Sequence, residues 1–169
     1  MIHIYTGDGK GKTTAAAGLT VRALGAGLRV FFAQFIKDGS SSEIVFFKKN
    51  ASEKFTYVSD GRGKFILGKP SENDVRLARK TLESLENAMQ SGQYDLVVAD
   101  EIFGALHAGL FPLESLLALM RLPHGDTEFV MTGRTAPPEA IALADLVTEM
   151  KCIKHYYSKG RSPKHGIEM

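Results

Sequence analysis

Apolar positions along this chain fall into two rhythms that take turns. Ile2-His3-Ile4-Tyr5 alternates with a period of two, as a short strand does, and Lys12 to Leu24 follows as an alanine-rich helical stretch. Arg29 to Ile36 carries the run Val-Phe-Phe-Ala-Gln-Phe-Ile, which has the length and the β-branched or aromatic character of a buried strand. Glycine and serines between Lys37 and Ser42 break it. Phe55 to Val58 predicts another short strand, followed by a glycine-rich, basic loop from Asp60 to Lys69 and by Pro70. Ser71 has the look of an N-cap, with Asp74 three residues later as a weak variant of the capping box. From there Val75, Ala78, Leu82, Leu85 and Met89 recur at helical spacing, a stripe that faces a core. Gly92 ends that helix, and Tyr94 to Ala99 predicts a central parallel strand closed by two carboxylates. Glu128 to Met131 predicts a further strand, Pro137 to Leu143 a short helix, and Leu146 to Met150 a last strand. Alternation of this kind predicts an α/β fold, a mostly parallel sheet with helices on both faces.

Composition narrows the picture without redirecting it. At 169 residues and 44% hydrophobic content the chain suits one domain with a sizeable core, and no repeat, linker or low-complexity segment divides it. A net charge of +2 gives no argument for nucleic acid, so Lys48-Lys49 and the lysines from Lys151 to Lys164 read as solvated surface. The single cysteine, Cys152, excludes an internal disulfide, and no run approaches the roughly 18 apolar residues of a membrane span. The first strand runs from the start of the sequence straight into a glycine-rich loop, so no signal peptide is expected and the expected location is cytoplasmic. The polar tail, 155–169, is either a frayed end or a lid over a site.

The chemistry begins at Gly7-Asp8-Gly9-Lys10-Gly11-Lys12-Thr13-Thr14. A phosphate-binding loop reads G-x-x-x-x-G-K-[ST], and here the first glycine stands at Gly7, one position too late. Glycines allow the backbone to curl so that its N–H groups converge on phosphate oxygens, and each is expected to be free to take positive φ. Lys12 adds a mobile point charge. Thr13 offers a hydroxyl to Mg²⁺ and opens a helix whose positive dipole end faces the anion. The shortened spacing points to ATP chemistry other than ordinary γ-phosphate hydrolysis.

Asp100 and Glu101 form the second constellation. In phosphate-loop proteins a carboxylate at the carboxyl end of a neighbouring strand completes the Mg²⁺ shell, and open α/β sheets bind ligands at that edge. Thr132-Gly133-Arg134 ends the next strand, where a guanidinium matches phosphate oxygens; the alternative is a surface arginine at a turn. Asp145 and Glu149 are cap or salt-bridge groups, or line the site. His3, His107, His124, His155 and His165 show no zinc spacing, and no nucleophile elbow is present. The chemistry therefore rests on bound reactants held in position.

Tyr5 to Ala16, Gln34-Phe35-Ile36-Lys37, Val98-Ala99-Asp100-Glu101, Thr132-Gly133-Arg134, Ala144 to Met150 and Lys154-His155-Tyr156, in this order, resemble the phosphate-loop class of ATP:cob(I)alamin (corrinoid) adenosyltransferases. The resemblance spans essentially the whole chain and implies a phosphate-loop, RecA-like NTPase-type fold. It also implies that ATP lies in the reverse sense, so that Co(I) of a reduced corrinoid attacks the ribose C5′ and tripolyphosphate leaves. Residues implied for ATP are Gly7, Asp8, Gly9, Lys10, Gly11, Lys12, Thr13, Thr14, Arg22 and Arg134. Lys12 and Glu101 would be catalytic, and Thr13, Glu101 and Asp100 would hold Mg²⁺. A homodimer and an electron-donating reductase are further implications.

Three departures from the family pattern stand out. Asp8 replaces a usual asparagine. Family members commonly carry a helix before the first strand that closes over the site; here the strand comes first, so shielding of the corrinoid is expected from elsewhere. The family's Gly-Phe-Thr-Trp loop, which helps displace the lower axial ligand of cobalt, is matched by Gly63-Lys64-Phe65-Ile66-Leu67, without tryptophan. By position and apolarity Phe65 and Leu67 are the expected corrinoid-facing residues, or else an apolar pair covering the core. The competing readings are an ATP-hydrolysing switch and a small-molecule kinase, both of which release ADP.

Overall fold

The computed structural model describes residues 1–59, 61, 63, 68–156 and 160–167. Six strands, β1 (Ile2–Thr6), β2 (Val30–Gln34), β3 (Phe55–Val58), β4 (Leu96–Asp100), β5 (Glu128–Thr132) and β6 (Leu146–Glu149), form one sheet in the order β3-β2-β4-β5-β1-β6. Every pairing is parallel, so the sheet is wholly and not mostly parallel. Helices α1 (Lys12–Gly25), α2 (Ser42–Asn50), α3 (Glu72–Gln90), α4 (Ile102–His107), α5 (Leu113–Met120) and α6 (Pro138–Leu143) connect the strands.

Burial on both faces explains why β2 and β4 read as unbroken apolar runs, since every residue of each is buried. Alternate side chains divide between two cores. Phe31, Ala33, Val97, Ala99, Phe129 and Met131 point toward α3 to α6, and Val30, Phe32, Leu96, Val98 and Val130 toward α1 and α2. The helical stripe of α3 buries Ala78, Leu82, Leu85 and Met89, and Ser71 and Asp74 form a complete capping box.

Helices α2, α4 and α5 go beyond what the hydrophobic pattern predicts. Six to nine residues give about two turns, too few for a helical period to register, and Ile44 with Phe47 supplies the whole buried face of α2. β2 stops at Gln34 instead of Ile36, for a reason that matters at the site. Among the described residues no helix is long and apolar enough to cross a membrane.

Candidate active site

Four strands of this apolar sheet end on a buried polar residue: β1 on Thr6, β2 on Gln34, β4 on Asp100 and β5 on Thr132. Burying such groups is costly unless they are hydrogen-bonded. They are bonded largely to one another. Asp100, wholly buried, accepts at Oδ1 from the hydroxyls of Thr13 (2.8 Å) and Thr132 (2.6 Å). Its Oδ2 accepts from Gln34 Nε2 (2.9 Å) and from the Lys37 ammonium (3.2 Å). The Thr132 hydroxyl also accepts the Glu101 N–H (2.9 Å), and Tyr57 donates its O–H to Gln34 Oε1 (2.9 Å). Burial pushes the Tyr57 phenol up to about 12, so it stays a donor.

The backbone is unusual at the same edge. Ile36, Glu101 and Thr135, just past the ends of β2, β4 and β5, have φ of 69°, 60° and 52°, the positive-φ residues other than glycine among those described. L-residues rarely hold this conformation, and its concentration at one end of a sheet is typical of functional edges. At Ile36 the Lys37 N–H returns to the Phe35 carbonyl (2.7 Å) in a γ-type turn, which is what stops β2 early.

The glycine loop is shaped by the segment that follows β6. Gly7 (φ 102°) and Gly11 (φ 119°) take positive φ, but Gly9 does not; what Gly9 requires is room, since a Cβ there would lie 2.7 Å from the Met150 carbonyl oxygen. A Cβ on Gly7 would overlap the same carbonyl. The Gly9 N–H donates to Met150 O (2.7 Å), and the Cys152 N–H donates to Asp8 Oδ1 (3.0 Å). The segment following β6 is thus laced to the loop, and the Asp8 carboxylate serves as its acceptor. An asparagine side-chain oxygen would accept the same bond.

At Gly11 the surroundings open, with nothing within 4 Å of a Cβ. Gly11 caps α1 without a side chain, and the first turn holds no acidic residue. α3, by contrast, seals its own N-terminus with Ser71 and Asp74. An unsealed helix start presents N–H groups and a positive dipole end to an anion. Lys12, 8% exposed, folds back to donate to Gly9 O (2.7 Å). Burial draws its ammonium below the ordinary value, against Glu101 but helped by Arg134. The Glu101 carboxyl is raised, first by burial and then by Asp100, while Lys37, Lys12 and Arg134 pull it down. Lys12, Arg134, Glu101 and Asp100 therefore share one electrostatic neighbourhood. Glu101 lies over Gly104, where a Cβ would be 3.0 Å from its Oε2, and a Cβ on Gly133 would be 2.7 Å from Phe103.

Other residues named from the sequence are spread more widely. Lys10 and Thr14 are exposed beside the loop. Arg22 lies in the last turn of α1, ten residues past Lys12 and so about 15 Å along the axis, with its charge felt by the Tyr5 phenol. Asp145 is at the opposite end of the sheet, accepting the Ile2 N–H at 2.7 Å, and Glu149 is exposed beside Lys151. Phe65 and Leu67 lie outside the described residues. One expectation is corrected by topology: β4 is not the neighbour of β1, because β5 lies between them, and Thr13 reaches Asp100 because α1 crosses that strand. Sequence reading gave no role to Gln34, Lys37, Tyr57 or Thr132. A polar residue closing each apolar run was the available signal.

The donor set suits a hard cation. Thr13 and the two carboxylates offer oxygen only, and among the described residues no three His, Cys, Asp or Glu side chains gather into a protein-only cage. A hydroxyl with one or two carboxylates is how Mg²⁺ is held when phosphates supply further ligands. That the Lys37 ammonium lies on the same two groups, 3.2 Å from Asp100 and 3.4 Å from Thr13 Oγ1, shows the spot accommodates positive charge.

Fold and site together define a phosphate-loop nucleotide-binding protein with a parallel sheet. Solved structures agree at the level of fold. The flagellar accessory protein FlaH of Methanocaldococcus jannaschii superposes with a TM-score of 0.56 at 16% identity, over 88% of this chain and 69% of its own. ATPases 2 and 3 of EssC from Geobacillus thermodenitrificans give 0.51 at 16% identity, over 99% of this chain and 36% of theirs. Sequence goes further. The family model "ATP:corrinoid adenosyltransferase BtuR/CobO/CobP" matches residues 1–169. Corrinoid adenosyltransferases of Pseudomonas aeruginosa and Escherichia coli K12 are 33% and 32% identical, over 99% of this chain and 83% and 85% of theirs. The chain belongs to the ATP:corrinoid adenosyltransferase family.

Proposed function

We propose that this enzyme transfers the 5′-deoxyadenosyl group of ATP to the Co(I) of a reduced corrinoid. The cobalt–carbon bond forms as the C5′–oxygen bond breaks, and the electron pair of that bond departs with tripolyphosphate. The observation that carries the reading is the contact of Thr13 with the buried Asp100, set beside Lys12 at an unsealed helix start, in a chain of this family.

Such a displacement takes no proton from carbon or water, which agrees with a site rich in cations and backbone N–H groups. What the protein must do is position C5′ and neutralise a leaving group with several negative charges. Lys12 exchanges Gly9 O for a phosphate oxygen, a stronger partner for an ammonium than a neutral carbonyl. Gly7, Asp8, Gly9, Lys10, Gly11 and Thr14 shape the cradle, and Arg134 approaches the phosphates from β5. Arg22 would contact ATP only with its side chain extended back along α1. Thr13, Asp100 and Glu101 would hold Mg²⁺, which supplies Lewis-acid neutralisation of the departing phosphates when bound. Phe65 and Leu67 would face the corrinoid and keep polar ligands from its lower side. A separate reductase supplies the electron.

Product identity tests this reading. With ATP, Mg²⁺ and chemically reduced cobalamin, phosphorus NMR should show tripolyphosphate appearing in step with loss of ATP. ADP with orthophosphate, or ADP with a phosphorylated acceptor, would replace the reading with a switch ATPase or a kinase.

A further inference from the structure

Lys37 is the feature that the transfer reaction leaves unexplained. Of the four donors on Asp100 it alone is charged, and it also approaches Thr13 Oγ1, so its ammonium sits against two of the three oxygen groups assigned to the metal. Its position is built. The positive-φ turn at Ile36 reverses the chain at the end of β2, the Gly63 N–H donates to Ile36 O (3.0 Å), and the Ser59 hydroxyl donates to Lys37 O. A Cβ on Gly61 would run into the Ile36–Lys37 backbone, which fixes the fit from the other side. A β-branched residue held in this conformation is strained, and the surrounding contacts maintain it. The side chain is less confined. With 37% of its surface exposed, against none for Asp100, the ammonium has a route out on its flexible stem.

We propose that Lys37 is a resident counter-cation: in the nucleotide-free protein its ammonium takes the Thr13–Asp100 oxygen pair, and it yields that place to a divalent cation arriving with ATP. The proposal rests on the reading of Thr13 and Asp100 as metal ligands. Two consequences follow from the tether. A covalently attached cation competes at high effective concentration, so a free divalent ion binds poorly until phosphate oxygens add their own ligands. Once displaced, the ammonium remains on the turn beside the site and adds a positive charge near the phosphate chain. The protein thereby favours the metal–ATP complex over the bare ion, and the buried carboxylate is never left uncompensated.

The test measures Mn²⁺ binding to the whole nucleotide-free protein by electron paramagnetic resonance. Lys37→Met and Lys37→Gln should bind Mn²⁺ about tenfold more tightly than wild type, and Lys37→Arg, which keeps the charge, should stay near wild type. Unchanged or weaker Mn²⁺ binding in both uncharged variants, with melting and circular dichroism intact, overturns the proposal. Asp100→Asn separates this from the metal assignment itself: it should lose Mn²⁺ binding in the presence of ATP. If it binds Mn²⁺ with ATP as wild type does, the assignment of the pocket falls instead.

Discussion

The two ends of this sheet use carboxylates in opposite ways. At the amino end Asp145 accepts the Ile2 N–H (2.7 Å) and Asp95 the Arg29 N–H (2.8 Å), one acid finishing the start of one strand. At the carboxyl end Asp100 collects four side-chain donors, from α1, β2, β5 and the turn after β2. Both arrangements satisfy polar groups, so hydrogen bonding alone does not mark a site. Convergence does: a wholly buried carboxylate with donors from separate elements, next to an unsealed helix start and strained backbone, exceeds what ending a strand requires.

The contrast can be broken hardest at Lys12. Lys12→Ala should lower kcat by about 100- to 1000-fold or more while the protein still folds, because the proposed charge facing the leaving group is removed and only the bond to Gly9 O goes with it. Retained turnover would take the loop out of the chemistry. The two acids offer the next largest effect. Asp100→Asn places amide hydrogens against existing donors and should cost about 3 kcal/mol of stability as well as activity. Asp145→Asn, read by the same chemical denaturation, should cost about 1 kcal/mol or less and leave kcat alone. Equal losses at both ends would erase the distinction.

The smallest effect concerns Glu101. Burial raises its folded-state pKa, so the folded protein favours the protonated acid; the stability this contributes is complete below the unfolded-state value and is lost as pH rises through the folded-state value. At neutral pH, where the unfolded chain is free to ionise this carboxyl, its burial therefore burdens the nucleotide-free protein. Glu101→Gln should melt slightly higher at pH 7, and the gap should close below about pH 4, where the glutamate is neutral in both states. A variant that melts lower at pH 7 would show that the carboxylate is stabilising there. Turnover of the same variant should fall, which makes Glu101 a point where stability and activity oppose each other.

Strands were legible from the sequence because a parallel sheet buries both faces, which leaves apolar runs such as Val30 to Ala33 and Leu96 to Ala99. The phosphate loop, Asp100 and Glu101 were legible for a different reason, as local patterns with a fixed chemical use. Contacts between distant segments were not. Nothing local tells that Met150 will press on Gly7 and Gly9, that Asp8 will hold the Cys152 amide, or that β5 will lie between β1 and β4. Lys37 stayed hidden because its place depends on a positive-φ turn at isoleucine, a residue whose type argues against such a turn. The shortened loop gains a structural companion in this way: Gly7, the glycine that departs from the usual spacing, and Gly9 are those against which Met150, just past β6, is packed.

The most direct measurement follows the carbon. ATP labelled at C5′ is incubated with the protein, Mg²⁺ and a chemically reduced corrinoid, and the corrinoid is then isolated in the dark. Label should appear in the corrinoid, bound to cobalt and released by light. Label confined to ADP, with the corrinoid unlabelled, would contradict the account.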